Sequence, residues 1–202
     1  MQDLPLELQE EVLFSLKEPE DLSRVCSSSR GSRQICSDRS FWREKFRREN
    51  LPLLEEGSSF SQWVQIYKKS LRAARKTDER LTSGDPIKIS LVSLNNTDIL
   101  KPLGQEKQIK HYWLTANNTS INIGDGVRVV HGFNIELYPG PVITNYELND
   151  TYTSSRAGFG RGLLATLYPP GTRTIKYLTG TVNTEDLWFM LYQLAYLDEA
   201  VF

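Results

Sequence analysis

A chain of 202 residues and 23.1 kDa is long enough to bury a core without covalent staples. Its 24 Lys/Arg and 25 Asp/Glu leave a net charge of −1, which excludes the one-signed field that nucleic-acid and membrane-surface binders use. Two cysteines, both before residue 37, argue against a disulfide framework and for a reducing compartment. With no leader-like apolar run after Met1 and no membrane-length apolar stretch, the expectation is a cytoplasmic or nuclear protein.

The even total hides a division. Residues 1–80 hold 15 Lys/Arg and 14 Asp/Glu, whereas residues 81–202 hold 9 and 11 and are rich in Gly, Thr, Asn, Tyr and Pro. Dense charge suits solvated helices, and the second composition suits strands and turns. The expected segments are therefore a helical module over 1–50, a connecting helical segment over 51–82, and a β-rich domain with a C-terminal helix over 83–202.

Pro5 suits the first position of a helix, where its missing N–H costs nothing. Leu6, Leu8, Val12, Leu13 and Leu16 then cover about 160° of its circumference, wider than one core face needs. A second helix is expected from Pro19, with Glu20 and Asp21 in its first turn and Leu22, Val25 and Cys26 on one side. After Gly31, Ile35 and Cys36 reopen an apolar pattern that ends in Phe41 and Trp42, so the expectation is three short helices.

The run Leu4-Pro5-x-Glu7-Leu8, followed by Val12-Leu13, Leu16, Asp21-Leu22, Val25-Cys26, Ile35-Cys36-Ser37-Asp38 and Phe41-Trp42, resembles the F-box in order and spacing. The variant is most similar to the F-box-like proteins multiplied in large DNA viruses, and it covers about residues 2–48. The resemblance implies a three-helix module docking on the Skp adaptor of Skp–cullin–F-box ubiquitin ligases, with the rest of the chain capturing a target. It places Leu4, Pro5, Leu8, Leu13, Leu16, Leu22, Val25, Ile35 and Trp42 at core or adaptor-face positions, with Trp42 ending the third helix. Ser28 and Ser32 stand where the motif usually carries Val and an aromatic.

Cys26 and Cys36 lack zinc spacing and an adjacent base, so they read as small buried apolar residues. Ser59-x-x-Gln62 has the form of a capping box, and Phe60, Trp63, Val64, Tyr67, Leu71 and Ala74 follow a helical period. They predict a helix over about 59–80, basic in its second half.

From Pro86 the period becomes two. Strands are expected near 87–91, 109–115, 119–123, 127–131, 133–138, 141–147, 162–168 and 173–179, separated by Gly, Pro and Asn turns. About eight short strands predict an α+β protein whose C-terminal part is an antiparallel β-sandwich or barrel, closed by a C-terminal helix. That helix has Asn183 as N-cap and is apolar nearly all round from Leu187 to Leu197.

No metal, cofactor or catalytic motif is expected. His111 and His131 read as structural, the Asn-x-Ser/Thr sequences as turns, and Gly158 to Gly162 as a hairpin connection without phosphate-loop context. Target contact is expected in two turn segments, Tyr138 to Pro141 and Tyr152 to Arg161, through Tyr138, Arg156, Phe159 and Arg161. The function expected is that of a non-enzymatic adaptor linking a Skp-type partner, and through it a cullin-RING ligase, to an unknown target protein. The alternative is a structural or assembly protein whose F-box-like helices only pack against the β-domain.

Overall fold

The computed structural model describes residues 5–116, 120–124, 127–156 and 171–197. It divides into two compact units, Met1–Arg75 and Lys76–Phe202.

Four short helices open the first unit, not three: α1 (Leu6–Ser15), α2 (Pro19–Ser28), α3 (Arg30–Ser37) and α4 (Arg39–Arg48). Pro5 precedes α1 as its N-cap, its carbonyl accepting from Leu8 and Gln9 N–H. The expected third helix is cut at Asp38, whose extended backbone and side chain cap α4 by accepting from Ser40 N–H at 2.8 Å. Trp42 therefore lies in the first turn of α4 and does not end a helix. Ser29 caps α3 in the same way, accepting from Ser32 N–H.

Helix α5 (Phe60–Ser83) starts at the predicted box, with Ser59 Oγ accepting from Gln62 N–H; the Gln62 side chain reaches back one residue further than expected, to Ser58. Around Trp42 these helices bury Leu13, Leu22, Ile35, Phe41, Phe46, Trp63 and Tyr67.

In the second unit a single open antiparallel sheet overturns the expected sandwich or barrel. Its segments are β1 (Ile87–Ser90), β2 (Ser120–Gly124), β3 (Val127–Val130), β4 (Phe133–Tyr138), β5 (Ile143–Arg156) and β6 (Gly171–Asn183). Strand β5, 14 residues long, carries β6 along one edge and β4 and then β3 along the other. Thr151 N–H donates to Gly132 O and continues the ladder across the gap between β3 and β4. β1 and β2 add to the far sides of β4 and β3, so six segments make a sheet four strands wide. No second sheet exists among the described residues to close it.

Two expectations fail because length and contacts outweigh local pattern. Residues 109–115 lie in helix α6 (Glu106–Ala116), not a strand: Ile109 and Ala116 are buried along one side, and Trp113 Nε1 donates to Leu94 O. The segment from Tyr152 to Arg156 is the end of β5, not a loop. The expected strand at 162–168 lies outside the described residues.

The core covers one sheet face, where Ile135, Leu137, Tyr146 and Leu148 meet α6, two 3-10 turns (Leu91–Ser93 and Asp98–Leu103) and helix α7 (Thr184–Leu197). Asn183 caps α7 as expected, accepting from Asp186 N–H at 2.8 Å. Tyr146 donates to Leu103 O and accepts from Gln105, and Gly180 leaves its ring room: a Cβ there would come within 2.5 Å of it. On the opposite face Thr151 pairs with Thr174 and Thr153 with Thr172.

Candidate adaptor interface

The N-terminal unit is held by aromatic stacking. Trp42 lies parallel to Trp63 at 5.8 Å and meets Phe41 edge-on, while its Nε1 donates to Cys36 O at 2.7 Å. Phe41 in turn stacks on Phe14 at 4.8 Å. This block and Leu13 hold α1, the one helix of the four that turns a set of large apolar side chains outward.

Leu6, Leu8 and Val12 are 57%, 51% and 39% exposed. Leu8 and Val12, four residues apart, share a helix side. The surplus of the apolar stripe is thus on the surface. Among the residues assigned by resemblance, Pro5 and Leu8 are exposed, Leu16 and Val25 half-buried, and Leu13, Leu22, Ile35 and Trp42 buried in the core. Leu4 lies outside the described residues. Surface contact from those that are described is open to Pro5, Leu8, Leu16 and Val25, and the buried four supply the packing beneath. Ser32 is buried too, but its hydroxyl is joined to Ser29 Oγ at 2.9 Å, so a polar cap replaces the usual aromatic. Ser28 is exposed and donates to Val25 O.

Three features were not visible in the pattern. The first is a disulfide: Cys26 and Cys36 are bonded, not free, because α2 and α3 bring their Cα atoms to 5.9 Å, within disulfide range. The second is an exposed ion-pair network. Arg48 grips Glu11 with two bonds of 2.8 Å, shares Glu44 with Arg47, and lies 4.1 Å over the Phe14 ring. The bonds from Arg47 and Arg48 hold the Glu44 carboxyl down to about 2, and the bond from Arg48 also lowers Glu11.

The third is buried. Lys45, fully enclosed, donates to Phe14 O at 3.0 Å and Leu16 O at 2.5 Å, pairs with Glu49, and lies 5.4 Å from the centre of the Tyr67 ring. The one proton of the Tyr67 hydroxyl is shared between the Glu49 carboxylate at 2.6 Å and Lys17 O at 3.0 Å. Burial, then the Glu49 carboxylate, push this phenol well above its usual range.

In the second unit the expected target residues are not gathered into one place. Tyr138 ends β4 beside an open cleft with Asn145, Glu147, Thr179 and Thr181, and its hydroxyl donates to Glu136. Tyr138 pairs with Asn145 near the start of β5, whereas Arg156 ends that strand, about 36 Å further along at 3.3 Å per residue. Phe159 and Arg161 lie outside the described residues. His131 Nδ1 donates to the buried Asp150 carboxylate at 2.6 Å, and Asp150 also accepts from Gly132 N–H. That aspartate pins the gap between β3 and β4.

Residues 1–48 match the family model described as F-box-like, so the N-terminal helices form an F-box-like domain, an adaptor-type motif. Comparison with curated proteins and with solved structures returns no match. F-box-like domains are non-catalytic adaptors, and among the described residues no group of His, Cys, Asp and Glu is placed to hold a metal ion. No helix among those residues is long and apolar enough to cross a membrane.

Proposed function

We propose that this chain recruits a target to a Skp–cullin–F-box ubiquitin ligase. The N-terminal unit docks a Skp-type adaptor, and the sheet unit captures the target protein. The observation that carries the reading is the outward apolar set of α1, Leu6, Leu8 and Val12, within the segment that matches the F-box-like model. Apolar side chains at those exposures gain most by burial against a partner. Nothing in the chemistry needs a cofactor, since ubiquitin transfer belongs to other subunits of such a ligase.

The test is binding of the full chain to purified Skp-type adaptor, measured by calorimetry. Leu8→Ala with Val12→Ala is expected to weaken the complex by on the order of 2 kcal/mol if these are interface anchors. Both side chains are exposed, so the variant keeps the wild-type fold. A wild-type chain that forms no complex overturns the adaptor reading in favour of a structural one.

A further inference from the structure

We infer that Lys45 is a positioning residue for adaptor docking: its buried ammonium holds the C-terminal exit of α1 and so sets the pose of the outward Leu6, Leu8 and Val12. The inference rests on the adaptor reading for its functional consequence, and on geometry alone for its structural part.

A helix of ten residues has little stability of its own, and its last carbonyls have no intrahelical donors. α1 has no side-chain N-cap and no basic residue in its last turn. It buries only Leu13 fully. Ser15 Oγ and Leu16 N–H serve Val12 O and Leu13 O, and the carbonyls that follow are met from elsewhere in the chain: Lys45 on α4 donates to Phe14 O and Leu16 O, and the one proton of the Tyr67 hydroxyl on α5 is shared between Glu49 and Lys17 O. A cation at a helix C-terminus also complements the helix dipole. Lys45 can be buried there because Glu49, one turn on, supplies the counter-charge and is itself tied to Tyr67. Two helices thus clamp the end of a third at one buried point. The ammonium bonds backbone atoms, so the clamp fixes where α1 leaves the unit whatever side chains α1 carries.

Removing Lys45 alone would strand the Glu49 carboxylate, so the test removes both charges. In full chain bearing Lys45→Met and Glu49→Met, amides of residues 6–17 are expected to exchange hydrogen at least tenfold faster. Those of α2 to α4 keep wild-type protection, and adaptor affinity falls at least tenfold. Tyr67→Phe, which removes one hydroxyl and no charge, is the fallback should the double variant fail to fold; its α1 amides exchange faster by a smaller factor. Glu49→Gln keeps the lysine on both carbonyls, and is expected to lower the melting temperature while holding affinity within about threefold.

Wild-type exchange across residues 6–17 in the double variant, or in Tyr67→Phe should the double variant not fold, overturns the clamp. In the Lys45→Met, Glu49→Met chain, a lowered melting temperature with unchanged affinity overturns its role in docking and leaves Lys45 merely structural. If wild-type chain does not bind the adaptor, the functional reading fails, while the exchange pattern still decides whether Lys45 positions α1.

Discussion

Trp42 does several jobs with one side chain. It fills the centre of the helical unit, stacks on Trp63, and gives its only N–H to the carbonyl of Cys36. Trp42→Ala is expected to cost roughly 3–5 kcal/mol, read from denaturant unfolding followed by the emission of Trp63. An unchanged midpoint would mean the cavity had been refilled. The core role of Trp42 was legible, because a large aromatic at a motif position has few other places to go. Lys45 was not: in the run Arg43-Glu44-Lys45-Phe46-Arg47-Arg48 it looks like one more solvated charge. Only the arrival of α1's exit opposite it makes a buried ammonium affordable, and that juxtaposition is tertiary. Ser32 stands where the motif usually carries an aromatic, yet it is buried with its hydroxyl partnered, as part of a cap.

Helix boundaries follow the caps that local chemistry provides. Ser59 before α5 and Asn183 before α7 were readable because Ser or Asn stands just ahead of an apolar period. Asp38 obeys the same rule but falls inside one continuous apolar pattern from Ile35 to Trp42, so periodicity alone does not separate α3 from α4. The aromatic run His111-Tyr112-Trp113 suggested a strand, since aromatics favour sheets, while the spacing of Ile109, Trp113 and Ala116 on one helix side decided otherwise. Charge couples the helices to pH. Bonds from Arg48, Lys68, Arg39 and Arg43, and from the Ser40 N–H, depress the carboxyls of Glu11, Glu20, Glu56 and Asp38, as Arg47 and Arg48 do for Glu44. A depressed carboxyl contributes stability above its unfolded value of about 4 and loses it as pH falls through the folded value, about 2 for Glu44. Thermal melting of the helical unit is therefore expected to drop by several degrees between pH 5 and pH 2. These groups are solvated, so the drop shrinks in 1 M NaCl. A drop of equal size in high salt would assign it to some other group.

At the scale of the whole molecule, the change in composition near residue 80 announced two kinds of architecture, and helices do give way to a sheet. Strand alternation was legible at Ile87 and Ile89 and along β4, but sheet shape was not. β5 runs on through Asn149, Asp150 and Thr151, residues that read as a turn, because Asp150 is buried and satisfied by His131 and Gly132. Two long strands then replace the several short ones a barrel would need. The 202 residues have a single internal cross-link, Cys26–Cys36, and it spans ten positions of the helical unit. Both cysteines are wholly enclosed, so a dissolved dithiol reaches the bond only when α2 and α3 part. The rate of reduction becomes a clock for that opening. In native buffer, alkylation after dithiothreitol treatment is expected to lag that of urea-unfolded chain by at least about a hundredfold, and Trp42→Ala is expected to quicken it. Equal rates would mean the helices breathe freely. Once cut, the unit loses about 3 kcal/mol of chain constraint, so the same bond that times the opening also makes each opening less reversible.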